Sequence, residues 1–182
     1  MQCSLQLKEV REYGFVEPQV VVASPSWSVA ECDSKLLVIR HSSVRLNLED
    51  LKCFEVVEHQ FRQYGVTFKN AIALQPSNPA YPPRSGTTVL MAAPKSGWLE
   101  VIFSQTISRF CCYVTSSQRL ILSAYDPHNL LISKLTSEPN LAGSDSPLPP
   151  NVELRLDKPN ISRITFYAFD GQLTLTDLSF GF

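Results

Sequence analysis

Along the C-terminal stretch 151–182, Val152, Leu154 and Leu156 alternate with Glu153, Arg155 and Asp157. A period of two marks a strand with one buried face and one wet face. Ile164, Phe166 and Ala168 resume the alternation after a short break. Asp170-Gly171 then predicts a two-residue hairpin turn, because both central residues of such a turn need positive φ. Leu173 and Leu175 carry the return strand. Beyond them the apolar phase moves to Leu178, Phe180 and Phe182, and one extra residue near Thr176-Asp177, a β-bulge, accounts for the slip.

The same reading extends upstream. Between Trp98 and Tyr125 lie three alternating runs, around Leu99-Val101-Phe103, Phe110-Cys112-Val114 and Leu120-Leu122-Ala124, which read as central hairpin material. Asp126-Pro127-His128-Asn129 is a turn, since Pro fixes φ and Asp caps the backbone from the first position. Leu130–Leu135 returns, and Glu138–Pro150 is loop. Phe54–Val57, Val66–Phe68 and Thr87–Met91 are further strand candidates, with a turn at Gln63-Tyr64-Gly65. Gln75–Arg84 is loop, because its four prolines cannot donate to a ladder. Towards the N-terminus, Phe15–Val22 and Lys35–Arg40 read either as two strands or as parts of a loosely attached extension. No segment carries a capped helical period.

Many short strands separated by turns predict an all-β fold, an antiparallel β-sandwich of jelly-roll type over residues 46–182, with residues 1–45 as an N-terminal extension. The length of 182 residues and the 44% apolar content support one such core. A net charge of −1 gives no long-range attraction to nucleic acid. No run approaches the ~20 apolar residues of a membrane span. Lys8, Glu9, Arg11 and Glu12 interrupt any secretory-type apolar run. The five cysteines have no pairing or zinc spacing and are expected to be reduced, with Cys111 and Cys112 pointing to opposite faces. His41, His59 and His128 lack ligand-spaced partners, and no Gly-x-Ser-x-Gly elbow is present, so no enzyme is expected.

Three stretches together carry a family likeness: Phe54-Glu55 with Phe61–Ala71, Ile102–Ile107 with Leu120–Asp126, and Ile161–Phe166 through Leu173 to Thr176-Asp177-Leu178-Ser179-Phe180. From about Glu49 onward the chain resembles the jelly-roll, galactose-binding-like domains of bacterial extracellular PEP-CTERM-type proteins and carbohydrate-binding modules. That resemblance implies first and last strands side by side, here the neighbourhood of Phe54 beside the final segment. It also implies a structural calcium ion stapling them, with Glu55 and Asp177 as the matching carboxylates, although Thr176-Asp177 stands where the pattern has an acidic pair. The expected function is non-catalytic binding of a glycan; the alternative is a structural or protein-interaction domain. Sugars stack on flat rings and bond to nearby polar groups. Tyr81, Trp98 and Tyr125, with Asn78 and Arg84, are the candidate contacts; Trp27, Tyr113 and Asn140 are further ones. Arg109, Arg119, Arg155 and Arg163 read as the wet faces of strands.

Overall fold

A computed structural model of the chain describes residues 20–27, 43–92 and 97–182. Among these residues it has eleven strands: β1 (Val20–Ala23), β2 (Ser43–Leu46), β3 (Val56–Val57), β4 (Val66–Lys69), β5 (Ala71–Leu74), β6 (Val89–Ala92), β7 (Trp98–Ser116), β8 (Leu120–Tyr125), β9 (Leu131–Ser137), β10 (Val152–Ala168) and β11 (Leu173–Gly181). A 3-10 turn at Arg62–Tyr64 ends on Gly65, whose φ of 80° suits a residue without a side chain. None of the described helices is long and apolar enough to cross a membrane.

Two strands organise the rest. β7 and β10 pair antiparallel along nearly their whole length, from Val152 opposite Val114 to Tyr167 opposite Trp98. Their ladder breaks around Asp157–Arg163, where Pro159 supplies no donor and Asn160 stands at φ 64°. There the pair bends and passes from one layer into the other. In the first layer, the start of β7 and the end of β10 are flanked by β4 on one side and by β8 and β9 on the other. In the second, the end of β7 pairs with β11, followed outward by β6, β5 and β3. β2 lies against the C-terminal end of β11, and β1 adds to it in parallel.

The layers face each other across one apolar core. Phe110 of the second layer lies 6.2 Å, ring to ring, from both Phe103 and Phe166 of the first. Phe180 meets Phe103 at 5.2 Å. This is the antiparallel sandwich that the alternation predicts. The phase slip on β11 is a bulge: its register against β7 shifts between Thr176 and Ser179, with Asp177 at φ 49°.

Three pairings differ from the sequence reading. Trp98–Ser116 is one strand, and β10 lies between it and β8, so β7 and β8 form no hairpin. Asp170-Gly171 is not a two-residue hairpin either. β7 separates β10 from β11, only Asp170 has positive φ, and Gly171 N–H donates to Ala168 O at 3.0 Å. The segment beside the chain end is β2, with Val44 and Arg45 opposite Phe180 and Ser179, and not the neighbourhood of Phe54. β3, beyond Phe54, pairs with β5 instead. The boundary at 45/46 therefore falls inside β2, whose Val44 and Leu46 belong to the core. Of the N-terminal strand candidates, Val20–Val22 lies in β1; residues 15–19 and 35–40 are outside the described residues, as are Cys3, Cys32 and His41.

Candidate functional site

The outer surface of the first layer gathers the most varied chemistry. Each strand sends its apolar phase inward: Leu99, Val101 and Phe103 on β7, Ile164, Phe166 and Ala168 on β10, Leu120, Leu122 and Ala124 on β8, all buried. The other phase must then point out. Register aligns these outward residues in rows across the strands. One row runs Trp98, Tyr167, Ile121, Thr136. The next runs Lys69, Glu100, Thr165, Ser123, Lys134. The third runs Thr67, Ile102, Arg163, Tyr125. Rows two residues apart along a strand are separated by about 6.8 Å.

The middle of this surface is an ion group. Glu100 Oε1 accepts from Arg163 Nη1 at 2.9 Å, and Oε2 lies 3.2 Å from Lys69 Nζ. The Glu100 side chain is only 5% exposed, whereas Lys69 is 61% exposed and Arg163 26%. A carboxylate hidden in this way needs paired cations to offset its lost hydration. Arg163 also donates to Asn129 Oδ1 at 3.2 Å, and its guanidinium lies 4.1 Å above the Tyr125 ring. Asn129 reaches it from the 126–129 turn, held by Asp126 Oδ1 accepting from the N–H groups of His128 and Leu130, both at 2.8 Å. At the other end, Trp98 and Tyr167 are cross-strand partners, and Tyr167 meets Phe169 edge-on at 6.5 Å.

The sequence-predicted residues divide. Trp98 and Tyr125 share this face. Arg84 is on the far side of the molecule, its guanidinium 3.2 Å over the ring of Tyr113 on the second layer. Tyr81 is buried, at 7% exposure. Its loop is clamped against residues 138–151 by Ala142 N–H to Ala80 O at 3.1 Å and Asn151 Nδ2 to Pro82 O at 2.9 Å. Asn78 is exposed, but its Oδ1 accepts from Ala80 N–H at 3.0 Å and shapes the turn. Asn140 is buried, donating to Val114 O and Pro149 O and accepting from Ser116 N–H. Trp27 is exposed and donates to Glu55. Arg109, Arg119 and Arg155 are exposed, as expected of wet faces. Sequence reasoning missed Tyr167, Glu100 and the special position of Arg163. The signal was present: Tyr167 and Trp98 both occupy the wet phase of strands whose other phase is fully apolar.

Glu55 and Asp177 do not converge. β5 and β6 stand between β3 and β11. Glu55 Oε1 accepts from Trp27 and from Gln60 Nε2, and Oε2 from Lys52 N–H. Asp177 Oδ1 accepts from Arg45 and from Ser85 Oγ at 2.7 Å, while Arg84 Nε lies 3.7 Å from Oδ2. Two guanidinium groups thus neutralise the carboxylate that a calcium ion would need, so this pair does not fit a divalent cation. Among the described residues, no group of three or more His, Cys, Asp or Glu side chains is placed to hold one. The acid lining the same small cavity as Asp177 is Glu49.

Cys53, Cys111 and Cys112 are free thiols, and Cys112 is buried while Cys111 on the opposite face is half-buried. Burial and neighbouring Glu153 push the Cys111 thiol up to about 12, so it stays protonated at neutral pH.

No family model and no curated protein matches the chain. Among solved structures, it is similar to a mutant of a family 29 carbohydrate-binding module, at 14% identity over 63% of this chain and 91% of that one, with a TM-score of 0.38. A second mutant of that module, complexed with mannohexaose, aligns at 14% identity over 64% and 89%, with a TM-score of 0.40. CpGH89 from Clostridium perfringens, in complex with its substrate GlcNAc-alpha-1,4-galactose, aligns at 12% identity over 64% of this chain and 14% of that one, with a TM-score of 0.41. These are likenesses of fold alone.

Proposed function

We propose that the chain is a non-catalytic binding module holding carbohydrate on the outer face of the first layer. The observation that supports this is the pairing of Trp98 with Tyr167, one row from a polar row that runs across all the strands of the layer. A sugar has an apolar C–H face and a rim of hydroxyls. Aromatic rings pack against the first, and Thr165, Ser123 and the Lys69–Glu100–Arg163 group offer donors and acceptors to the second. Cleavage of a glycosidic bond by paired carboxylates asks for two of them flanking the bond. The outward strand positions here carry one, Glu100, already tied to two cations.

Isothermal titration against a panel of oligosaccharides tests the reading. Tyr167→Ala, at an exposed position, should weaken binding by about tenfold with an unchanged melt, and Trp98→Ala by at least as much. Ligand affinity that survives both substitutions rejects this face.

A second reading, a protein-contact domain, has its own observation. Phe54 is 80% exposed at φ 66°, beside Val56 at 55% and Trp27 at 48%. If a second copy docks there, sedimentation velocity will show a dimer that Phe54→Ser dissociates. A monomer at all concentrations sinks that reading.

A further inference from the structure

The charge on the outer face of the first layer is sorted by depth. Its one carboxylate at an outward strand position, Glu100, is almost fully covered, and the groups covering it are cations, with Lys69 61% exposed; Glu138, just past the end of β9, is paired with Arg119. Solvent and ligand therefore meet positive charge. Two cations share one carboxylate in the ion group, which leaves one unit of positive charge over. Lys134, also exposed, sits at the opposite end of the same row. The row from Lys69 to Lys134 crosses β4, β7, β10, β8 and β9, about 19 Å at strand spacing. The chain as a whole carries a net charge of −1, so this excess belongs to the face and not to the molecule.

We infer that the glycan held here carries carboxylate groups, as a polyuronate does. The inference rests on the carbohydrate reading above and narrows it. A uronic acid combines in one residue what the face separates into rows: a C–H surface for Trp98 and Tyr167, and a single negative charge for the spare cation of the ion group. A carboxylate can take the remaining donors of Lys69 and Arg163 without displacing Glu100, since an ammonium has three donors and a guanidinium five. In a chain of uronates a second carboxylate reaches Lys134 along the row.

The test is isothermal titration of the full chain with oligogalacturonate and, as neutral comparators, manno- and cello-oligosaccharides of equal length, at low and high salt. Oligogalacturonate should bind about tenfold more tightly than the neutral sugars and lose that advantage as salt is added. Lys134→Gln, at an exposed position, should weaken uronate binding about three- to tenfold while leaving the melt and the neutral-sugar affinity unchanged, and Lys69→Gln should weaken uronate binding more than it weakens neutral-sugar binding. Equal affinity for neutral and uronate oligomers, indifferent to salt and to both lysine variants but lost in Tyr167→Ala, overturns the inference and leaves the carbohydrate reading standing. Tighter binding of dextran sulfate than of oligogalacturonate overturns it too, because the face then responds to charge density alone. Failure of every oligosaccharide to bind overturns both.

Discussion

Glu49 shows how much one exposed side chain organises. Both its oxygens accept from Thr87 N–H at 3.0 Å, Oε1 also accepts from Thr88 N–H at 3.0 Å, and Oε2 from Thr87 Oγ1 at 2.9 Å. Gly86, at φ +63°, lets the loop come this close, since a Cβ there would sit 2.2 Å from Oε1. Burial pushes the Glu49 carboxyl up, but the hydrogen bonds from Thr88 and Thr87 outweigh it and hold the group below its usual 4.5. A carboxyl depressed in the folded state stabilises fully above its unfolded value and loses that contribution as pH falls through the folded one. Glu49→Gln should therefore lower stability by about 1 kcal/mol at neutral pH, a figure kept small by exposure. In urea melts the gap to the parent should close as pH drops below 4.5; a gap constant down to strong acid contradicts the latch. Gly97 is a stricter case. At φ +55°, a Cβ would lie 1.9 Å from Ala168 O, and backbone has no rotamer by which to yield. Gly97→Ala should cost roughly 2 kcal/mol or more and, by moving the next residue, Trp98, should also reduce ligand binding.

At the scale of the strand, the bulge of β11 is where local chemistry and pairing meet. Asp177 stands at φ 49°, a conformation that Asp and Asn tolerate because their short side chains bond locally. Its carboxylate ties the bulge to Arg45 of β2 and Ser85 of the neighbouring loop. Asp177→Asn keeps the backbone conformation and loses the charge; Asp177→Ala loses both. Urea denaturation should rank the parent above Asn above Ala, with Ala about 1–2 kcal/mol below the parent. Equal loss in the two variants would show that the backbone preference contributes nothing. The bulge was legible because a phase slip is written into consecutive residues, Leu175 to Leu178. So were the 126–129 turn and the inward faces of β7, β8 and β10. Pairing was not: Asp170-Gly171 has the composition of a hairpin, yet β7 takes the place beside β10 that β11 would need. Tyr81 was misplaced for a similar reason. A proline-rich loop reads as exposed, but this one is tied to residues 138–151 on either side of Tyr81, at Ala80 and Pro82, a contact no local pattern announces. Trp98 and Tyr125 were found as residues, but their shared face depends on β10 lying between β7 and β8.

For the molecule as a whole, the two layers are already joined along β7 and β10, which run through both. What remains is to close the second layer where the chain ends, and that closure is β2 against β11. A divalent ion is one way to hold two strands whose carboxylates converge. Here a guanidinium does it from within: Arg45 of β2 reaches Asp177 of β11, Arg84 approaches the other oxygen, and Glu49 is consumed by its loop. A calcium ion would have to displace bonded cations from a carboxylate only 11% exposed, and the other acid lining that cavity, Glu49, already accepts from Thr87 and Thr88. A ligand stabilises a fold only in proportion to its binding of the native state. The midpoint of thermal unfolding should thus be the same in saturating calcium and in chelator, and Arg45→Ala should lower it equally in both. A melt that rises with calcium in the parent protein would mean that Asp177 exchanges its arginines for the ion, and that the strands are held by a different charge from the one described.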